Sequence, residues 1–215
     1  MTSALIPASE IRAEMRVVNS RFIATIAPVF SVPEARTFIE RISEEFSDAT
    51  HNVPAYVIGH GSSTIAHCSD DGEPSGTAGP PALAVLRGSG LGDAAVVVTR
   101  YFGGTKLGTG GLVRAYGDAV REVISQVPRA VKLPTHTIQI NTPYPLFESV
   151  RRLVQAHGGQ VLEETFTQQV TVLARLPQDR LDGLQIGLQE LSRGQLEAQI
   201  IDSSESTIVP LRGTS

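Results

Sequence analysis

The segment Ala94 to Tyr101 limits the possible folds of this chain more than any other. It begins with a continuous apolar run rich in valine, which is typical of a β-strand covered on both faces. An acidic loop rich in glycine and proline, Ser69 to Gly79, precedes it, and a glycine-rich turn, Gly103 to Gly111, follows it. The sequence therefore predicts a strand flanked by two loops of opposite charge, and a functional site is expected there.

The glycine-rich turn contains five glycines in nine residues, which allows positive φ angles or a close approach of the backbone to a ligand. Beyond it, apolar residues recur at helical spacing, so the glycines are predicted to lie at a helix N-terminus. The apolar residues of this helix are Leu112, Val113, Tyr116, Ala119, Val120, Val123, Ile124 and Val127. Free backbone N–H groups and the helix dipole at such a place favour an anion, most often phosphate.

Basic side chains near the turn add charge-assisted contacts to this predicted anion site. The residues predicted to bind an anion or RNA are Arg100, Gly103, Gly104, Lys106, Gly108, Gly110, Gly111 and Arg114. The order GGTKLGTGG fits neither the Walker pattern nor GxGxxG, so a nucleotide-binding P-loop is not supported. In an alternative interpretation, these glycines only form a tight turn packed against a sheet.

The acidic loop places Asp70, Asp71 and Glu73 within four residues. Three neighbouring carboxylates suit a hard cation such as Mg²⁺, although the spacing is not that of an EF-hand and no fourth ligand is evident. Adjacent acids in such a loop more commonly cap a following helix or form Asx-turns. A third interpretation pairs them with Arg100, Lys106 or Arg114, which would make the acids structural. We expect Asp70 or Asp71 to lie near Arg100 or Lys106.

Composition indicates one large or two small domains, since the chain has 215 residues of which 41% are hydrophobic. No run of 18 apolar residues occurs, and the first residues lack a basic segment followed by an apolar core. We therefore expect a soluble, cytoplasmic protein that does not contact a membrane. The single cysteine, Cys68, cannot form an internal disulfide, which agrees with a reducing compartment.

The charge is unevenly distributed along the chain. The net charge of −4 argues against a protein that coats nucleic acid by bulk attraction. Residues 1–99 carry 6 Lys and Arg against 11 Asp and Glu, or −5, whereas residues 100–133 carry 6 against 2, or +4. A local basic face on an acidic protein is compatible with a phosphate-bearing partner. It is equally compatible with a solvated helix face on which Arg114 and Asp118 pair.

The first domain is predicted to span residues 1–133. A strand from Arg21 to Val29 precedes a helix that begins with the capping box Ser31 to Glu34. The remaining predicted elements are a hairpin of Ala55–Gly59 and Thr64–Cys68 that turns through His60–Ser63, a short helix from Pro80 to Leu86, the central strand, and the helix after the glycine-rich turn.

The second domain is predicted to span residues 134–215, with elements in the order βαββαβ of a ferredoxin-like fold. The strands are predicted within residues 135–141, 160–176 (two strands) and 196–202, and the helices at 145–157 and 178–193. This domain contains no lysine and no clustered acid-base constellation, so docking is expected of it rather than chemistry.

Two long motifs, SDDGEPSGTAGPP and VVVTRYFGGTKLGTGGLVRAYGDAV, closely resemble the YigZ/IMPACT family, as do RFIATIAPV and HNVPAYVIG before them. The resemblance covers Ser20 to Val127, and Thr135 to Asp202 is similar to the family's bacterial C-terminal extension. It implies an α+β protein whose N-terminal domain has the fold of domain IV of elongation factor G, with a C-terminal ferredoxin-like domain similar to its domain V. Many relatives have Cys in the HNCxAY stretch, where this chain has Val53.

The resemblance also implies a role in translation, because eukaryotic relatives interfere with activation of the kinase that senses amino-acid starvation. The leading hypothesis is a translation-associated regulatory binding protein that contacts the ribosome or structured RNA through its acidic and glycine-rich loops. Two alternatives stay open: a metal-dependent enzyme acting on a phosphorylated small molecule or nucleotide, and a protein-interaction module. No catalytic residues and no cofactor besides the Mg²⁺ hypothesis are predicted, and a role other than catalysis is favoured.

Overall fold

A computed structural model of the protein describes residues 5–60 and 63–211. The chain divides into two compact units. The first consists of two segments, the chain up to Val131 and the chain from Val209, and the second is Lys132–Ile208. The predicted α+β class with two domains is confirmed. The predicted boundary after residue 133 stays a prediction, and one strand, Arg129–Thr142, runs through it. Gly61 and Ser62, in the predicted hairpin turn, lie outside the described residues.

The first unit is built on a five-stranded antiparallel sheet. Its spatial order is β2 (Ile11–Val17), β3 (Ser20–Pro28), β6 (Ala94–Tyr101), β4 (His51–Ile58) and β5 (Ile65–Cys68). Three helices belong to it: α1 (Val32–Glu45), α2 (Gly79–Gly88) and α3 (Gly108–Gln126). A short strand, β1 (Leu5–Pro7), pairs with residues 129–131.

Strand β6 is the centre of this unit, because successive side chains enter different hydrophobic clusters. Val96 and Val98 pack in the cluster that contains the apolar residues of α2 and α3. Ala95 and Val97 pack in the cluster that contains those of α1. The prediction that the apolar run is covered on both faces is confirmed. The buried valines hold this strand in place, and the strand carries Arg100 near its C-terminal end.

Helix α1 begins as its sequence predicts. The Ser31 Oγ accepts a hydrogen bond from the Glu34 N–H at 3.3 Å, and Glu34 Oε2 in turn accepts from the N–H of Phe30 at 3.0 Å. Ser31 therefore caps the helix as predicted, but Glu34 accepts from the residue before the cap and not from the N–H of Ser31, as a standard capping box requires.

The second unit has the predicted order βαββαβ. Its elements are β7 (Arg129–Thr142), α4 (Tyr144–Ala156), β8 (Gln160–Phe166), β9 (Val170–Pro177), α5 (Leu181–Ser192) and β10 (Gln199–Pro210). The strands form the sheet order β8-β9-β7-β10, and the pairs β7–β9 and β8–β9 are antiparallel. The core joins β7 and β9 to both helices, for example through Ile138, Val172, Val150 and Leu188. Within residues 5–60 and 63–211, no helix is long and apolar enough to cross a membrane.

The sequence did not predict two strands near the start of the chain, β1 and β2. In β2 only Ala13 is buried, because this strand lies at the edge of the sheet and pairs with β3 alone. Its sequence, IRAEMRV, nevertheless alternates strictly between apolar and polar residues, so this strand could have been predicted. Strand β7 also begins earlier than predicted, and β10 continues to Pro210, through residues whose side chains are mostly exposed.

Candidate functional site

The acidic loop and the glycine-rich turn meet at one pocket of about 360 Å³ in the first unit. Its lining residues are Thr50, His51, Glu73, Pro74, Arg100, Phe102, Lys106, Leu107, Gly108, Thr109 and Leu112. Of the residues predicted to bind an anion, Arg100, Lys106 and Gly108 are thus brought together, with Glu73 of the acidic loop beside them. The volume lies at the lower end of the range for small-ligand sites, about 300 to 1,000 Å³.

A buried ion pair lies in the wall of this pocket. The Arg100 Nη1 donates to Glu73 Oε1 at 2.5 Å, and the two side chains are 6% and 3% exposed. The Tyr116 hydroxyl donates to the same Oε1 at 2.7 Å, and Ser20 Oγ accepts from Arg100 Nη2 at 3.3 Å. Burial, reinforced by the bond to Glu73, raises the pKa of Tyr116 far above its ordinary value, so the hydroxyl keeps the proton that it donates.

The Arg100 guanidinium keeps one N–H group that is buried and unpaired. Its Nε atom has no hydrogen-bond partner in the described part of the chain. The guanidinium carbon lies 5.5 Å from the ring centres of both Phe22 and Phe102. Because a buried donor without a partner costs about 1 to 3 kcal/mol, an acceptor that reached this atom would be bound favourably.

We expected Asp70 or Asp71 to lie near Arg100 or Lys106, whereas the acid that pairs with Arg100 is Glu73. The Asp70 carboxylate instead accepts from the N–H groups of Gly76, Ala78 and Gly79, at 2.7, 3.0 and 2.9 Å. Burial acts to raise the pKa of Asp70, but these three donors outweigh it and lower the pKa. Asp70 therefore caps the start of α2 and holds the acidic loop in shape.

Asp71 holds the acidic loop against strand β4. Its Oδ2 accepts from the N–H of Asn52 at 2.6 Å, and its carbonyl oxygen lies 2.7 Å from His51 Nδ1. A carbonyl only accepts, so Nδ1 of His51 carries a proton. The other ring nitrogen, Nε2, lies 3.8 Å from Glu73 Oε1, which is too far for a hydrogen bond. A neutral His51 therefore presents an acceptor at the pocket.

The three carboxylates of the acidic loop do not form one ligand set. Asp70 bonds to the start of α2, Asp71 to Asn52, and Glu73 to Arg100 and Tyr116. Among the residues that the structure describes, no group of three or more His, Cys, Asp or Glu side chains is arranged to hold a metal ion. The Mg²⁺ hypothesis thus has no geometric support, and the structural alternative, helix capping and pairing with Arg100, is the one supported.

The glycine-rich turn places the start of α3 at the pocket. The helix begins at Gly108, four residues before the apolar pattern that predicted it, and Gly108 has a φ of 72°. Within the described chain, the N-cap residue Leu107 makes no side-chain hydrogen bond to the first turn. The N–H groups of that turn have no helical acceptor, and the exposed Lys106 lies next to them.

The other predicted residues of the turn lie outside the pocket lining. A Cβ atom on Gly103 would lie 1.9 Å from the backbone oxygen of Asn19, so this glycine is required by packing, as the tight-turn alternative proposed. Gly104 has a φ of 82°, and Gly110 and Gly111 are in the first turn of α3. Arg114 is exposed on α3.

Sequence reasoning assigned no role to several lining residues, chiefly His51 and Phe102. The antiparallel register places His51 directly opposite Arg100. Extending strand β4 back to His51 and pairing it with β6 would have brought the two residues together. Nothing in the local pattern indicated Phe102, which is 45% exposed beside the guanidinium.

The fold and this site define a two-domain α+β protein with a pocket at a helix N-terminus. The sequence pattern of the Impact N-terminal domain matches residues 18–124, which include every lining residue, and that of a domain of unknown function, DUF1949, matches residues 140–195. The chain is 36% identical to the IMPACT family member YigZ of Escherichia coli, over 94% of this chain and 100% of the relative. The chain belongs to the IMPACT family.

Two further similarities support this assignment. The IMPACT family member YvyE of Bacillus subtilis is 50% identical over 114 residues, which are 53% of this chain and 52% of the relative. A solved crystal structure, described as that of a hypothetical protein, is 36% identical and has a TM-score of 0.59. That similarity covers 94% of this chain and 98% of the other.

Proposed function

We propose that this protein is a translation-associated regulatory binding protein, which contacts the ribosome or structured RNA through the surface around the pocket. One observation carries the proposal: Lys106 and the uncapped start of α3 line the same pocket as the acidic loop. A cation beside free helix N–H groups favours phosphate. Membership of the IMPACT family supports the link to translation, since the resemblance implies translational control in eukaryotic relatives. We place this role in the cytoplasm.

The distribution of charge supports an RNA partner that is bound at one place. Residues 100–133 have 6 basic and 2 acidic side chains in a chain whose net charge is −4. The exposed cations of this segment include Lys106 and Arg114, which lie close to the pocket along the chain. Local positive charge on an acidic protein favours a few specific phosphate contacts over bulk attraction.

Binding rather than catalysis is proposed, because the carboxylate that lines the pocket already bonds to two protein side chains. Glu73 accepts hydrogen bonds from Arg100 and Tyr116 on one oxygen, and its side chain is 3% exposed. These contacts give Glu73 a structural role beside the pocket.

Co-sedimentation with ribosomes at about 50 mM salt tests the proposal, since phosphate contacts weaken steeply as salt rises. We expect the protein to sediment with ribosomes and Lys106→Glu to abolish this. The control is Arg36→Glu, which makes the same change of charge at an exposed position on α1. Absence of the parent protein from the ribosomal pellet, or equal losses in the two variants, would overturn the proposal.

A second candidate, a protein-interaction module, is favoured by an aromatic cluster in the second unit. Tyr144 and Phe166 are 52% and 53% exposed, and their ring centres are 6.3 Å apart. Phe147 packs edge-on against Phe166 at 5.4 Å. Exposed aromatic side chains are enriched at the centres of protein interfaces. Capture of a specific partner that survives nuclease treatment and is lost in Phe166→Ser would support this candidate.

A further inference from the structure

We propose that the pocket binds a nucleoside 5′-monophosphate, with the phosphate at the start of α3 and the base against Phe102. The inference deepens the proposed function and rests on it in part, because the same chemical unit occurs as a free nucleotide and within an RNA chain. It is carried by four features of the pocket: its cation and helix start, an unpaired buried donor, an apolar wall, and a histidine acceptor.

The phosphate end is defined by the first turn of α3. Lys106, Gly108 and Thr109 line the pocket there. The helix is 19 residues long, and the described chain offers no side-chain cap to its first N–H groups. An ammonium group, a hydroxyl and backbone donors on one side of a pocket are the usual partners of a phosphate.

The unpaired Arg100 Nε is a second, independent indication of a ligand. Arg100 lines the pocket and is 5% exposed, and its Nη1 and Nη2 atoms bond to Glu73 and Ser20. Among the described residues, its Nε alone of the three nitrogens has no acceptor. Because this atom is itself buried, a ligand oxygen or ring nitrogen would supply the missing partner after a shift of the side chains that cover it.

The charges around the pocket favour an anion. The titratable groups that line it are His51, Glu73, Arg100 and Lys106. The Glu73 charge is balanced by Arg100, with which it forms an ion pair. Lys106 therefore leaves the lining with a net positive charge, whatever the state of His51.

The base end is defined by apolar side chains. Pro74, Phe102, Leu107 and Leu112 line the pocket, and Phe102 is 45% exposed despite its apolar ring. An exposed ring next to a phosphate site is the arrangement on which nucleic-acid bases stack. A volume of about 360 Å³ favours a single nucleotide over a dinucleotide.

The ribose is recognised by His51. Because Nδ1 donates to the Asp71 carbonyl, a neutral imidazole presents Nε2 as an acceptor at the pocket. A sugar hydroxyl is a donor that fits this acceptor. Inorganic phosphate also carries an O–H donor at neutral pH, but it has neither a sugar nor a base, so a nucleotide uses more of the lining than phosphate alone.

Isothermal titration of the full-length protein tests the inference, with 5′-AMP, 5′-GMP, 5′-CMP, 5′-UMP, adenosine and inorganic phosphate as separate probes. We expect at least one nucleotide to bind about tenfold or more tightly than adenosine and phosphate, because it contacts both ends of the pocket. A 5′-phosphorylated single-stranded oligoribonucleotide of about six residues is the second arm. If the oligonucleotide binds more tightly than the mononucleotides, the ligand of the pocket is a nucleotide within an RNA chain. If it binds equally or less tightly, the ligand is a free nucleotide.

Matched variants locate the site. Lys106→Ala and Phe102→Leu should each weaken nucleotide binding by about tenfold. Arg36→Ala removes an exposed cation from α1 outside the pocket lining, and Phe166→Leu replaces an exposed aromatic ring of the second unit, so both should bind as the parent protein does. Arg100 is left unchanged in these variants, because its ion pair supports the fold.

Two outcomes would overturn the inference: no binding of any nucleotide at millimolar concentration, or equal losses in Lys106→Ala and Arg36→Ala. The protein could instead bind no nucleotide and yet sediment with ribosomes, with sedimentation lost in Lys106→Glu and retained in Arg36→Glu. This result would refute the inference and leave the proposed function intact. Nucleotide binding without ribosome association would refute the proposed function and leave the inference intact.

Discussion

Arg100 and Glu73 form an ion pair with a 2.5 Å contact and side chains that are less than a tenth exposed. The pair joins the end of the central strand to the acidic loop and shapes the pocket that both line. A buried charge that loses its partner is strongly destabilising, whereas exposed charges contribute little to stability. Stability and binding should therefore respond to different cations of this site.

Arg100→Ala should lower the free energy of unfolding by about 3 to 5 kcal/mol, because it leaves the Glu73 carboxylate buried without its counter-ion. Lys106→Ala, at an exposed position of the turn, should change it by less than about 0.5 kcal/mol. Urea unfolding followed by circular dichroism measures both. Equal and large losses in the two variants would contradict the separation of a structural from a ligand-facing cation.

A further prediction concerns the coupling between Arg100 and Glu73 in the free energy of unfolding. In the double variant with Arg100→Ala and Glu73→Ala, no carboxylate is left unpaired, although Tyr116 also loses its acceptor. We expect the double variant to be more stable than the sum of the single losses predicts, by about 1 to 3 kcal/mol. Additive losses in a double-mutant cycle would show that the pair does not interact in solution.

Asp70→Asn should destabilise the first unit by about 1 to 2 kcal/mol near neutral pH, since the carboxylate caps α2 through three N–H groups. The pKa of Asp70 is lowered in the folded protein, so its contribution is complete above the ordinary Asp pKa of about 3.9. It is lost as the pH falls through the lowered folded-state pKa. The gap between the variant and the parent should therefore begin to close below the ordinary Asp pKa of about 3.9 and shrink further as the solution becomes more acidic.

Urea unfolding across this pH range measures the effect, with Glu44→Gln at an exposed position of α1 as the control. A gap between Asp70→Asn and the parent that stays constant or widens in acid would contradict the capping role.

Two glycine substitutions should have opposite effects. Gly103→Ala places a Cβ 1.9 Å from the Asn19 backbone oxygen, so we expect a loss of about 2 kcal/mol or more. Gly110→Ala meets no heavy atom of the described chain within 4 Å and lies in α3, so stability should rise by about 0.4 to 1 kcal/mol. Thermal unfolding of both variants checks this, and a stable Gly103→Ala protein would show that the packing at this turn is different.

A fragment ending at Lys132 should fold alone, because it retains the five-stranded sheet and its three helices. It should also retain the pairing of Leu5–Pro7 with Arg129–Val131, although it loses the bond from the Leu211 N–H to the Arg129 carbonyl. Dispersed amide signals and cooperative unfolding would support the predicted boundary. A fragment that is unfolded, while the full chain folds, would indicate a shared core.

Much of the fold could be predicted because local patterns determine it. The valine run fixed the central strand, Ser31 and Glu34 fixed the start of α1, and the apolar spacing after the glycines fixed α3. Strand β2 could also have been predicted, because its sequence IRAEMRV alternates strictly between apolar and polar residues.

The site could be predicted only in part. The two loops were expected to converge, but Asp70 or Asp71, and not Glu73, was singled out as the acid near Arg100. The conformation of the acidic loop depends on the three backbone bonds to Asp70 and on positive φ angles at Asp71 and Gly72. Sequence spacing does not encode these contacts. They leave Glu73 as the acid of this loop that pairs with Arg100 at the end of β6. His51 was missed because its role comes from cross-strand register.

Amide chemical-shift mapping tests the central claim, that the pocket between the two loops is the binding site. The probe is the 5′-phosphorylated single-stranded oligoribonucleotide, added to the isotope-labelled full-length protein. The largest shifts should fall on amides at the start of α3, Gly108 to Leu112, and on His51 and Glu73, which line the same pocket. Shifts confined to the second unit, or to the C-terminal end of α3, with none at Gly108 to Leu112, would contradict it.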